Sequence, residues 1–298
     1  MKKAILAMLL IATFAEGKPL VVDAAWLAKH LEDPDLVLLH VGDKAGYEAG
    51  HIKGARQVTL QDLHVSDHAG KGLILEMPAS DDLKKRLESF GISNDSRIVV
   101  YYGKDWVSPT TRILFTLDYA GLGDRASLLD GGMSAWVKAG QPTVTEPTPA
   151  KTGSLAPLKP RPIVVDAEFV RKNAGAKGIA LVDGRASVFY DGVDTGESHE
   201  GKHRTGHITG AGSVPFTSIT SEDLTLRSPD EWRALLTKAG VKPGDTVLGY
   251  CHIGMQTTAV LFAARSLGHK VLLYDGSMQD WSRHKDYPVE NPSEHAGH

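Results

Sequence analysis

The feature that most limits how this chain can fold is a repeat: one unit is written twice. A strand-like run at 36–40, then Tyr47 and His51-Ile52-Lys53-Gly54-Ala55, is matched by a run at 179–182, then Tyr190 and His207-Ile208-Thr209-Gly210-Ala211. The apolar runs 98–102 and 247–250 correspond, as do the helical patterns opening at Thr110-Thr111 and Thr257-Thr258. Each half closes on an Asp-Gly turn and a tryptophan. Asp130 and Asp275, and likewise Trp136 and Trp281, are 145 positions apart. His51 and His207 are 156 apart, so the second half carries extra residues at 191–204, and an excursion at 64–78 lengthens the first. An internal repeat is read before anything else because it sets the architecture. Short apolar strands alternating with helices predict an α/β fold, with a parallel sheet covered by helices on both faces in each half. Five prolines between Thr145 and Pro162 predict an extended connector. The expected organisation is a leader at 1–17, a first domain at 18–145, a linker at 146–162, a second domain at 163–290 and a tail at 291–298.

The leader expectation rests on Met1-Lys2-Lys3, eleven mostly apolar residues at 4–14, and Ala15-Glu16-Gly17. A membrane span needs about 20 apolar residues, so this run reads as a secretory signal, with a buried first helix as the competing reading. The protein is expected in a periplasm, with no stable membrane association once the signal is removed. A net charge of −3 gives no reason to expect nucleic acid or an anionic membrane as a partner.

The chain has one cysteine, Cys251, so no intrachain disulfide forms. A lone cysteine is often a small buried hydrophobe. This one ends a strand and heads the loop His252-Ile253-Gly254-Met255-Gln256-Thr257, which runs into a helix expected to stop before Gly268. A strand, a tight loop and a helix start gather backbone N–H groups and the positive end of the helix dipole around the sulfur, a setting that favours the nucleophilic thiolate. Two chemistries use such a loop. Phosphate transfer through cysteine needs an arginine six positions on to clamp phosphate, and Thr257 stands there. Sulfur transfer needs only the thiolate and the N–H ring, with no metal and no cofactor.

The chain resembles the tandem-domain rhodanese family, the thiosulfate and 3-mercaptopyruvate sulfurtransferases. The resemblance rests on Asp183-Gly184-Arg185, the run Gly206 to Ala211, the Tyr250-Cys251 loop with Gly254, and Asp275-Gly276 with Trp281. It implies two rhodanese-like domains, the second active through Cys251 and the first inactive, with Gly103 or Lys104 standing where the second has Cys251. His40 and Gly42 replace Asp183 and Arg185 there. It also implies a small anionic sulfur donor and a thiol or cyanide acceptor. Thiosulfate users in the family often carry basic residues in the two positions after the cysteine, and an arginine before the tyrosine of the Asp-x-Arg segment. Here those positions are His252, Ile253 and Phe189. Mercaptopyruvate users resemble Cys-Gly-Ser-Gly-Val, which this loop lacks. Thiosulfate is the expected donor; 3-mercaptopyruvate and a non-catalytic persulfide carrier are the alternatives.

The repeat sorts the remaining roles. His51 persists in the half without a cysteine, so His51 and His207 are expected to hold turns, and Asp130, Asp275, Trp136 and Trp281 to serve packing and turns. Asp183 and Arg185 occur in the competent half alone and are expected to support the active loop, with a surface ion pair as the plainer reading. His252 is a source of positive charge if protonated, or an exposed loop histidine. Arg204 and Lys202 are candidate anion contacts. So are His64, Asp67 and His68, if the excursion crosses to the second domain. The tail histidines His295 and His298 are expected to be unstructured and not to bind metal.

Overall fold

The computed structural model describes residues 19–69, 72–103, 107–195 and 203–295. The expected leader, Lys202, Lys104 and His298 lie outside these residues. In the first half the strands are β1 (Val21–Val22), β2 (Leu36–Val41), β3 (Ala55–Val58), β4 (Arg97–Tyr102) and β5 (Ala126–Leu129). The helices of this half are α1 (Ala24–His30), α2 (Lys44–Ala49), α3 (Leu60–Leu63), α4 (Ser80–Ser89), α5 (Ser108–Tyr119) and α6 (Gly132–Lys138). The second half has β6 (Val164–Val165), β7 (Ile179–Asp183), β8 (His207–Ile208), β9 (Gly212–Ser213), β10 (Thr246–Tyr250), β11 (Val271–Tyr274) and β12 (Val289–Glu290). Its helices are α7 (Ala167–Asn173), α8 (Ser187–Tyr190), α9 (Pro229–Lys238), α10 (Thr257–Ser266), α11 (Ser277–Trp281) and α12 (Pro292–His295).

Both halves form a five-stranded parallel sheet of the same order, β1-β5-β4-β2-β3 and β6-β11-β10-β7-β9. The strands read as near-continuous apolar runs because both faces are buried. In β4, Ile98, Val100 and Tyr102 enter one core, while Val99 and Tyr101 enter another. Asp23 and Asp166 occupy equivalent places at the starts of α1 and α7. Each side chain accepts the N–H of the third residue on, Trp26 at 2.7 Å and Phe169 at 2.8 Å. Trp136 and Trp281 are also equivalents. Both are buried, and each donates its indole N–H to a proline carbonyl, of Pro142 and Pro288 respectively.

One apolar core runs through both halves, because α5 packs on α10 and the two sheets share the cluster around them. At the contact the Thr111 and Thr258 hydroxyls are 2.9 Å apart, and Arg265 Nη1 lies 3.3 Å from Asp118 Oδ2. Each half also extends an arm onto the other. Leu75 and Leu224 head these arms at φ 59° and 65°, a conformation costing a non-glycine residue roughly 1–3 kcal/mol. The Leu224 carbonyl accepts from the Tyr102 hydroxyl at 2.5 Å. The Leu75 carbonyl accepts from Arg112. Asp130 and Asp275 are more than turn residues. Each carboxylate receives a backbone N–H from the opposite half, Leu226 at 2.8 Å and Met77 at 3.2 Å.

The proline-rich connector has no helix or strand and lies against the first half. Asn94 N–H donates to the Ser154 carbonyl, and Leu155 is buried with its N–H on Glu88 Oε1 at 2.8 Å. β12, at the end of the expected second domain, pairs antiparallel with β8; within the expected tail, residues 292–295 form α12, where Ser293 bonds the carbonyls of Asp191 and Gly192. Among the described residues no helix is long and apolar enough to cross a membrane.

Candidate active site

Cys251 follows β10 directly and is fully buried. Its N–H donates to Ser277 Oγ at 3.1 Å. The loop after it is shaped by where its carbonyls point. The Cys251 carbonyl accepts from Met278 N–H at 3.1 Å and the His252 carbonyl from Gln279 N–H at 3.0 Å. The Gly254 carbonyl accepts from Arg112 Nη1 at 3.1 Å. The Met255 carbonyl accepts both the N–H of Thr258, at 3.1 Å, and its hydroxyl, at 2.6 Å. A trans peptide is planar, with its N–H opposite its C=O. Carbonyls pinned outward therefore turn the N–H groups of His252, Ile253, Met255 and Gln256 inward. Among the described residues no protein group accepts from Ile253, Met255 or Gln256 N–H. A loop with its carbonyls engaged and backbone N–H groups left over has the donors that an anion-binding turn needs, and it begins at a thiol.

Glycine is required where this loop packs. Gly254 has φ +77°, and a Cβ there would come 2.7 Å from both the carbonyl and a carboxylate oxygen of Asp275. A Cβ on Gly184 would come 2.7 Å from Thr257 Cα, so the end of β7 can approach the first turn of α10 only without a side chain.

Asp183 and Arg185 are not a surface pair. Their side chains are 0% and 1% exposed. Arg185 Nη2 meets Asp183 Oδ2 at 2.6 Å, Nε meets Oδ1 at 3.0 Å, and Nη2 also donates to the Gly206 carbonyl at 2.7 Å. The guanidinium lies 5.9 Å from the Tyr250 ring centre. Burial pulls the Arg185 pKa down, but Asp183, Tyr250 and Cys251 together outweigh it, and the group is held charged beside the thiol. Tyr250 accepts the Ile208 N–H on its hydroxyl at 3.0 Å, and burial pushes its own pKa well up.

His207 donates from Nδ1 to the Tyr190 carbonyl at 2.8 Å and stacks on the Tyr190 ring, with centroids 3.7 Å apart. His51 does the same with Tyr47. His252 is buried, not an exposed loop residue. Its Nδ1 lies 3.2 Å from His203 Nδ1, and the Phe189 ring meets it edge-on at 4.6 Å. Gln256 and Thr257 are also buried, at the start of α10.

Several expectations are corrected. Arg204 has one arm engaged: its Nη1 donates to the carbonyls of His284 and Tyr287, tying down the segment after α11. The excursion does cross to the second half. Ile74 and Leu75 pack on Ile253 and Met255, and Ile74 N–H donates to Gln279 Oε1 at 3.0 Å. Asp67 caps its own loop through the N–H groups of Ala69 and Gly72. His64 is buried with the Leu60 carbonyl on Nδ1, and with both the Thr116 hydroxyl, at 2.8 Å, and Arg112 Nε, at 3.1 Å, on Nε2. The first-half counterpart of Cys251 is Tyr102, not Gly103 or Lys104. β10 sets Tyr250 opposite Asp183 and β4 sets Tyr101 opposite His40, while the Tyr101 hydroxyl accepts Ile52 N–H as Tyr250 accepts that of Ile208. The next residue is Cys251 in one half and Tyr102 in the other.

Sequence reasoning missed Arg112. It is fully buried in α5, and its Nη1 lies 2.6 Å from Asp275 Oδ1 in a charge contact off the hydrogen-bonding direction. The signal was present: Thr110-Thr111-Arg112-Ile113-Leu114-Phe115 repeats as Thr257-Thr258-Ala259-Val260-Leu261-Phe262, with a charge against alanine in an otherwise matching apolar helix.

The rhodanese-like domain family matches the chain twice, over residues 23–139 and 166–284. The chain belongs to this family. The sulfur carrier protein TtuD of Thermus thermophilus is 30% identical over 92% of this chain and 97% of its own length. The thiosulfate sulfurtransferase of Azotobacter vinelandii is 28% identical over 91% of this chain and 97% of its own. Among solved structures, EanB in complex with hercynine superposes with a TM-score of 0.80 at 25% identity, covering 91% of this chain and 69% of that one. These relatives support a sulfurtransferase role for this chain.

Proposed function

We propose that this chain moves sulfane sulfur from thiosulfate to a thiophilic acceptor through a persulfide on Cys251. The observation that carries this reading is a single thiol at the head of a loop whose carbonyls are held by other groups and whose Ile253, Met255 and Gln256 N–H groups have no acceptor among the described residues. The Cys251 thiolate attacks the outer sulfur of thiosulfate. A new S–S bond forms, the donor's S–S bond breaks, and sulfite leaves with the bonding pair. The loop N–H groups hold the terminal persulfide sulfur, in the manner of oxyanion-hole donors worth on the order of 3 kcal/mol each. Cyanide or a thiol then takes that sulfur, and the thiolate returns. 3-Mercaptopyruvate is the alternative donor, leaving as pyruvate. Intact mass before and after thiosulfate tests the proposal. A gain of one sulfur, about 32 Da (covalent persulfide chemistry), removed by cyanide and absent in Cys251→Ser, is expected. A Cys251→Ser protein with undiminished turnover overturns it.

A second reading is a persulfide carrier loaded by a partner protein. It is favoured by the kinship with a sulfur carrier and by the apolar side chains of Ile74, Leu75, Ile253 and Met255 packed over the loop. Loading by a protein donor but by neither small donor selects it. We propose further that residues 1–17 direct export, and the amino-terminal sequence of protein from a periplasmic fraction would begin near Glu16 or Lys18.

A further inference from the structure

The half without a cysteine supplies part of the active loop's shape. Of the loop carbonyls, those of Cys251, His252 and Met255 are held from within the second half, and that of Gly254 from the first half by Arg112. Each arm of the Arg112 guanidinium has a fixed partner. Nε donates to His64 Nε2 at 3.1 Å, Nη2 to the Leu75 carbonyl, and Nη1 to the Gly254 carbonyl beside Asp275. His64 is set up to accept, because its Nδ1 faces the Leu60 carbonyl at 2.8 Å and therefore carries the proton. Burial first, and then the charge of Arg112, holds its pKa well below the ordinary value, so Nε2 keeps its lone pair. The guanidinium is thus a rigid three-way tie. We propose that Arg112 is a positioning residue for sulfur transfer: it fixes the Gly254–Met255 peptide so that the Met255 N–H faces the sulfur on Cys251. The inference rests on the persulfide reading. It adds that the cysteine-free half is a working part of the site and not a passive companion.

Lysine at this position can reach one carbonyl but cannot serve three acceptors in a plane. Glutamine removes the charge as well. The test compares Arg112→Gln and Arg112→Lys with the parent in two assays. The first is single-turnover loading of Cys251 from thiosulfate, read by quenched-flow mass spectrometry. Loss of one well-placed donor slows loading by about 100-fold in Arg112→Gln, with a smaller loss in Arg112→Lys and little change in the thiosulfate concentration giving half-maximal rate. The second is alkylation of Cys251 by iodoacetamide at neutral pH. A mis-set N–H weakens the thiolate, so alkylation slows by roughly tenfold, as for one hydrogen bond to a charged group. A merely structural role would do the opposite, since loosening the fold uncovers a buried thiol and speeds alkylation. Wild-type loading rates in Arg112→Gln, or faster alkylation, overturn the inference. If the parent itself does not load from thiosulfate, the donor assignment falls, and the direction of the alkylation change still decides the role of Arg112.

Discussion

Replacing Arg185 by methionine is expected to destabilise the second domain severely, and replacing its partner as well is expected to restore most of the loss. In the single variant the Asp183 carboxylate loses three hydrogen bonds from the guanidinium and keeps one, from the Arg185 backbone N–H at 2.9 Å. At 0% exposure it cannot turn to water. Removing one partner of a buried pair costs about 3–5 kcal/mol, whereas exchanging both for apolar groups of similar volume is often neutral. The first domain shows that the scaffold does without the pair. Its equivalents are Gly42 and His40, a buried imidazole whose pKa is lowered to about 4, by burial first and then by its neighbour His51, and which is therefore neutral at neutral pH. Arg185→Met and Asp183→Leu alone should each lose about 3–5 kcal/mol, and the two together no more than about 1 kcal/mol, a coupling of at least about 5 kcal/mol. Urea denaturation at neutral pH, followed by far-ultraviolet circular dichroism, measures all members of the cycle. A single variant costing under about 1 kcal/mol, or a double variant as unstable as the single, would refute the argument. The repaired double variant should still load sulfur more slowly than the parent, because it lacks the cation beside Cys251.

Two further outcomes are expected. Gly254→Ala places a Cβ 2.7 Å from Asp275 at φ +77°, so it should cost at least about 1 kcal/mol in a thermal melt and slow persulfide formation; a variant matching the parent in both would show that the loop yields freely. Glu76, on the arm over the active loop, has its pKa raised from 4.5 to about 7 by burial and by the Asp275 charge. A raised pKa means that stability is fully present below about pH 4.5 and is lost as pH rises through about 7. Glu76→Gln should remove that loss and melt higher than the parent at pH 8, and an unchanged pH dependence of melting would count against the assignment.

The repeat and the strand and helix runs were legible because both are periodic properties of neighbouring residues. β10 and α10 lie within a residue of where the sequence puts them, and α10 is followed by Gly268 at φ +88°. The active loop was legible for a similar reason: strand, cysteine, glycine and helix start are contiguous. What the sequence hid is contact between distant segments. Nothing local to Asp130 or Asp275 says that each receives an N–H from the opposite domain. Arg204 reads as a loop cation until the carbonyls of His284 and Tyr287 are seen beside it. The counterpart of Cys251 was misplaced by one or two residues because the two loops differ in length, and strand register, not loop spacing, aligns them.

The contact between α5 and α10 has a consequence for how the two halves recognise each other. Thr111 and Thr258 are equivalent positions, and so are Asp118 and Arg265; both pairs are 147 positions apart, and in each pair a residue touches its own counterpart. Such self-meeting marks the axis of an isologous interface, the geometry of a symmetric homodimer. In a true homodimer an axis position faces an identical residue, so it can carry a hydroxyl but not a pair of opposite charges. Fusing the two halves into one chain lifts that restriction. Thr111 and Thr258 keep a symmetric solution, while Asp118 and Arg265 have the asymmetric one. Two copies of the same half would set carboxylate against carboxylate, or guanidinium against guanidinium, so these charges favour the unlike pairing, the arrangement that places Arg112 against the cysteine loop.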